Sequence, residues 1–197
     1  MTAVLISIKP KWCEMITRGA KAIEVRKTRP NINTPFKCYI YCTKGKKNDP
    51  HDLLEIHDSS GKIHKANGKV IGEFVCSRIV SYAPNFSFDS KKMCASLKLG
   101  AGLTENQLWK YSKQGEKILY GWVISDFFLY DVPKELGEFN FPPDTYCEKG
   151  LCGGCPYDCV SSEYGDFMFD CEWKRPIIRA PQSWCYVEEL EVIDESD

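Results

Sequence analysis

The chain has 197 residues, 43% of them apolar and 27% charged, the balance of a globular domain with enough apolar side chains to bury a core. No apolar run approaches the roughly eighteen residues of a membrane span. The opening residues lack the basic and long apolar stretches of an export signal, so a cytoplasmic location is expected.

Ala3 to Ile8 reads as a buried strand. Lys9 precedes Pro10 and favours extended geometry, whereas Pro10 suits the first position of a helix. Trp12, Cys13, Met15 and Ile16 recur at helical spacing, and Gly19 is placed to end that helix as its C′ residue. Ala22 to Arg26 then alternates, with Ile23 and Val25 to one side and Glu24 and Arg26 to the other. Phe36 to Cys42 is a further strand. Residues 44–67 form a polar excursion holding a small hairpin, Leu53 to Ile56 and Lys62 to His64, about Asp58-Ser59-Ser60-Gly61. Its histidines, His51, His57 and His64, read as surface residues rather than metal ligands. Lys69 to Tyr82 is strongly β. Glu73 is the one acid inside it, so it needs a basic partner or a pocket. Thr104 and Gln107 match a capping box that opens a helix through Tyr111. Ile118 to Ile124, Phe127 to Tyr130 and Trp184 to Val192 supply the last strands, before an acidic tail.

Six or seven strands with two short helices, not alternating as in a parallel α/β sheet, predict an α+β fold. The expectation is a small mixed β-barrel, its ends plugged by two or three short helices. It would be a single domain over 1–197, with insertions at about 44–67 and 144–179.

Eleven cysteines, an odd number without an export signal, argue against a disulfide framework. Cys13, Cys38, Cys42, Cys76, Cys94 and Cys185 read as small core side chains. Cys147, Cys152, Cys155, Cys159 and Cys171 follow the pattern C-x4-C-x2-C-x3-C-x11-C. The glycine pair Gly153-Gly154 suits the tight backbone turn of a metal knuckle. Structural zinc is expected on Cys152, Cys155 and Cys159, with Cys147 or Cys171 as the fourth ligand. Four thiolates leave no open position for catalysis. An iron–sulfur cluster would also use cysteines, but its C-x2-C-x2-C run is absent. Free thiols or a redox pair are the remaining alternatives.

The formal net charge of −1 conceals a gradient. Residues 1–50 hold 11 Lys and Arg against 3 Asp and Glu; residues 51–130 hold 10 against 8; residues 131–197 hold 5 against 16. A basic first third points toward an anionic partner such as a nucleic acid or nucleotide. The alternative is that the two ends pack together and neutralise each other. Lys9, Trp12, Lys21, Glu24 and Arg26 are concentrated in Leu5 to Pro30. Lys9, Lys21 and Arg26 would meet phosphate, and Trp12 or Trp184 would stack on a base. Glu73 and Gln182 are further pocket candidates. Against this, Trp12 lies on the apolar helix face as a core residue would. Glu24 and Arg26 also fit a surface ion pair, worth under about 1 kcal/mol.

Ile6 to Lys9 leading into a helix, Gly19-Ala20-Lys21 and Ile23-Glu24-Val25-Arg26 resemble the ASCH family of the PUA-like superfamily. Val70-Ile71-Gly72-Glu73-Phe74, Tyr120 to Asp126 and Pro181 to Val187 match in the same order. The resemblance spans most of residues 3–132 and 178–192 and is greatest to the bacterial and phage members. It implies a β-barrel with a cleft beside the first helix, binding RNA or modified nucleobases. Some small members are acetylcytidine amidohydrolases that use a lysine after the helix-ending glycine, a threonine nucleophile three residues later and a glutamate elsewhere. Lys21 matches that lysine, but Glu24 stands at the threonine position, and a carboxylate does not replace a hydroxyl nucleophile in that route. The leading expectation is therefore a binding module for RNA or a modified nucleoside. The alternatives are a hydrolase with Lys21 and Glu24 as its acid/base pair, and a phage-encoded adaptor that engages a protein through its acidic last third.

Overall fold

The computed structural model describes residues 1–45, 52–83, 98–142 and 176–190. The five clustered cysteines, Cys147 to Cys171, lie outside the described residues, as do Cys94 and His51.

The fold is α+β with a mostly sheet core. In chain order come β1 (Thr2–Ile8), α1 (Pro10–Thr17), β2 (Ile23–Arg26), β3 (Phe36–Cys42), β4 (Glu55–His57) and β5 (Ile63–Lys65). There follow β6 (Val70–Tyr82), α2 (Glu105–Tyr111), β7 (Leu119–Lys134) and β8 (Trp184–Glu188). A helical turn at 98–101 and a 3-10 turn at Leu136–Glu138 complete the short helices. β4 and β5 form the expected hairpin, its turn braced by the Asp58 carboxylate accepting from the Ser60 and Lys62 amides.

Six strands form one sheet in the order β2-β7-β6-β3-β1-β8. β1 runs parallel to β3, and the other pairings are antiparallel. The expected barrel does not close: among the described residues no backbone ladder joins the edge strands β2 and β8. β2 is only four residues long and so offers little edge for pairing, and the contacts recorded across the seam are made by side chains, Arg26 to Ser183 and Trp184 to Thr28.

One core fills the inner face. Val4, Ile6 and Ile8 from β1, Phe36, Cys38 and Ile40 from β3, Phe74 and Cys76 from β6, and Trp122 from β7 pack there with Cys13 and Ile16 of α1. The outer face is covered twice. Leu5, Tyr39, Val70, Tyr130 and Val187 form one cluster, and Val25, Tyr82, Ala101, Leu108 and Leu119 form another beneath α2. Burial drives the Cys13 and Cys38 thiols well above their ordinary range and Cys76 up to about 12. These cysteines are inert core side chains, as their apolar positions predict.

Two glycines are dictated by geometry. Gly19 has φ +69° and ends α1 in a Schellman motif: the Ala20 amide donates to Met15 O at 2.8 Å and the Gly19 amide to Ile16 O at 2.9 Å. At Gly72, where β6 and β7 cross closely, a Cβ would collide with the Phe128 carbonyl. β7 is a single strand where two are expected from sequence. Its interruption at Asp126, φ +47°, is a local kink with shifted register, not a break in the ladder.

Candidate functional site

The Schellman turn folds the chain back over α1, so that Lys21 enters the interior instead of continuing into solvent. Its side chain is 2% exposed. The ammonium donates to Ile23 O at 2.8 Å and to Ala101 O at 2.9 Å, and lies 3.2 Å from Glu24 Oε2. All three N–H bonds are therefore used. The Trp12 ring centroid is 5.2 Å from Lys21 Nζ, and Lys11 lies 5.1 Å from the same ring. Burial lowers the Lys21 pKa from its ordinary value, with Glu24 opposing that shift and Arg26 adding to it.

β2 places the next two members. Strand alternation sends Ile23 and Val25 to the cluster under α2, and Glu24 and Arg26 to the inner face. There Glu24 sits opposite Trp122 and Arg26 opposite Tyr120. Glu24 Oε1 is 3.0 Å from Arg26 Nη2, which also donates to Ser7 O at 2.6 Å. A longer contact of 3.5 Å runs from Arg26 Nη1 to Ser183 Oγ, across the seam to the segment that precedes β8. The pair is not a surface ion pair: both side chains are about nine-tenths buried.

Two features of this network are unusual. Among the described residues, two cations, Lys21 and Arg26, share one carboxylate, which leaves a formal charge of +1 buried in this network. Arg26 Nε and the Trp122 indole nitrogen are also buried without a hydrogen-bond partner among the described residues. Buried polar groups ordinarily find partners, because leaving one unpaired costs about 1–3 kcal/mol.

Aromatic rings roof the seam. Trp184 lies 6.0 Å from Trp122 and 5.4 Å from Tyr186, centroid to centroid. Its indole N–H donates to Thr28 Oγ1 at 3.0 Å, an exposed bond, and the Tyr186 hydroxyl accepts from the Asn31 amide at 2.7 Å. Residues 28–31 thus tie the end of β2 to β8.

The structure brings Trp12, Lys21, Glu24, Arg26 and Trp184 together. Lys9, the residue preceding α1, and Gln182, in the loop before β8, are both exposed, and no side-chain hydrogen bond or ion pair joins either to the grouping among the described residues. Glu73 belongs elsewhere. It pairs with Tyr39 across the ladder and so faces the outer side of the sheet. There Lys37 Nζ lies 3.2 Å from Glu73 and 3.1 Å from Glu189, and the Tyr130 hydroxyl donates to Glu73 at 2.7 Å. The acid in the strand has its basic partner, and that cluster clamps the chain after β8 onto the sheet.

Sequence reasoning missed Ser7, Thr28, Ser183 and Trp122. Ser7, Trp122 and Ser183 lie within segments that carry the resemblance, whereas Thr28 acts through a small hydroxyl that no pattern distinguishes. Among the described residues, no group of three or more His, Cys, Asp or Glu is placed to hold a metal.

No sequence-family model and no curated protein matches the chain. Solved structures of the ASCH protein from Zymomonas mobilis are similar in fold. One is 21% identical, covering 68% of this chain and 73% of that one, with a TM-score of 0.49. Two variants of the same protein are each 20% identical, covering 68% of this chain and 76% and 74% of theirs, with TM-scores of 0.48. The likeness concerns the path of the chain, and it assigns no activity.

Proposed function

We propose that the seam between β2 and β8 binds the anionic part of a nucleotide or of single-stranded RNA, with Arg26 at its floor and Trp12 and Trp184 beside it. The observation that supports this reading is the surplus buried cation. A net positive charge taken out of water is costly unless something anionic completes it, and Arg26 Nε lacks an acceptor among the described residues. Stability alone gives no reason to keep such a network, because a buried ion group seldom outperforms well-packed apolar side chains. The basic first third and the ASCH resemblance point the same way.

Trp184 stands beside the seam, next to the Ser183 hydroxyl that Arg26 reaches, and its bond to Thr28 is exposed. Titration with 5′-mononucleotides is therefore expected to change tryptophan fluorescence in the wild type. Arg26→Met is expected to weaken that response by about tenfold or more, as loss of a charge-assisted contact implies. An unaltered response in Arg26→Met would exclude the seam as the site.

A hydrolytic reading has one observation in its favour, the lowered Lys21 pKa beside Glu24. The saturated donors of Lys21 oppose it, since a general acid must release a proton toward substrate. Turnover of a modified nucleoside, abolished in a folded Glu24→Gln variant, would establish it.

A further inference from the structure

The inner face of the sheet continues past Arg26 in a direction the buried network does not occupy. Arg26 is paired with Tyr120 on β7, and Tyr120 with Ser81 on β6. These three side chains therefore stand in one row on one face, as neighbours about 5 Å apart at Cβ. At the outer end of this row is a cavity of about 250 Å³ lined by Arg29, Ile79, Ser81, Ile118 and Tyr120. The Arg29 guanidinium lies over the Tyr120 ring, 5.9 Å from its centroid. Arg29 is exposed, with no carboxylate paired to it among the described residues. Ile118 is 48% exposed on the cavity wall.

We infer that this cavity is a second subsite, taking the nucleotide next to the one held at the seam. This rests on the reading of the seam as a nucleotide site. The chemistry fits one nucleotide unit. An aromatic face with apolar walls accepts a base by stacking and burial. The Arg29 guanidinium, with no carboxylate paired to it among the described residues, can donate to a phosphate, and a serine hydroxyl can donate to or accept from a base edge. The volume is below the range typical of sites that enclose a whole drug-sized ligand, as suits an open step in a strand-binding groove. Contiguity with Arg26 through Tyr120 makes the two positions successive stations on one groove. The ligand class implied is a single-stranded oligonucleotide rather than a free nucleoside.

The test compares the four 5′-mononucleotides with mixed-sequence RNA hexamers, by tryptophan fluorescence and anisotropy, on wild type, Arg29→Ala and Ser81→Glu. Both positions are exposed, and melting curves check that both variants fold. The wild type is expected to bind hexamers about tenfold or more tighter than mononucleotides. Arg29→Ala is expected to lose that advantage, to lower the salt slope of hexamer binding by about 0.7, and to leave mononucleotide affinity unchanged. Ser81→Glu, which sets a negative charge in the cavity, is expected to do the same to the advantage. Equal wild-type affinity for hexamers and mononucleotides would overturn the second subsite while leaving the seam reading intact. Arg29→Ala weakening both ligands equally, or neither, would also overturn it. Failure of the wild type to bind either ligand would overturn both readings.

Discussion

At the scale of single residues, Glu24 is the pivot of the network, because among the described residues it alone separates two buried cations. Glu24→Gln leaves both without a counter-charge, a loss of about 3–5 kcal/mol in the usual range for breaking a buried pair. Arg26→Met leaves the balanced Lys21–Glu24 pair and removes the surplus charge. It is expected to cost less, about 1–3 kcal/mol, through the Ser7 carbonyl left without its donor. Urea unfolding of the two variants checks the order; Arg26→Met proving the more damaging would contradict the charge accounting. Lys21 supplies a pH test. Its folded pKa lies below the ordinary value of 10.5, so the unfolded chain binds more protons between the two values. The contribution of Lys21 to stability is therefore largest above 10.5 and is lost as pH falls through the folded pKa. The stability difference between wild type and Lys21→Met should rise with pH across that window; a flat or falling difference would contradict the assignment. The alternation of Glu24 with Val25 and the position of Lys21 after Gly19 were legible in the sequence. The burial of Glu24 and Arg26 was not, because it depends on β7 and on the segment before β8, over 90 residues further along the chain.

At the scale of elements, local signals succeeded where the chain itself supplies the partner. The α1 stop at Gly19, the Thr104 capping box and the Asp58 hairpin turn each satisfy their own backbone groups within a few residues. Thr104 is a capping side chain for α2, and Thr104→Ala is expected to cost about 1 kcal/mol. Gly72→Ala acts between strands. The new methyl group would push β6 from β7 at the Phe128 carbonyl, costing about 1–3 kcal/mol. Thermal melts of the pair check this, and a neutral Gly72→Ala would contradict the close strand approach. The merging of two expected strands into β7 was not legible because the left-handed conformation of Asp126 looks like a turn in the sequence. Acidic and amide side chains tolerate that conformation inside a strand, so the ladder continues past it.

At the scale of the whole molecule, the α+β class followed from hydrophobic patterning, whereas the strand count, expected as six or seven and found as eight, and the closure did not. A barrel and an open six-stranded sheet share the same alternation. Which one forms is decided at the two edges, here a β2 of four residues and a β8 of five with no ladder between them among the described residues. The cysteine spacing from Cys147 to Cys171 carries its own prediction: about one zinc per chain by elemental analysis of protein purified without oxygen. Metal-free protein that keeps its native melting temperature would contradict it. The charge gradient along the chain predicts that any oligonucleotide binding is strongly weakened by salt.

The central claim is that the surplus buried cation at Arg26 is completed by an anionic ligand. Its most direct test is the affinity of wild type and Arg26→Met for a labelled single-stranded RNA hexamer, measured by anisotropy between about 50 and 200 mM salt. The account predicts binding by the wild type that falls with salt, and binding at least about tenfold weaker, with a shallower slope, in a folded Arg26→Met. Equal affinity and equal slope in the two proteins would contradict it.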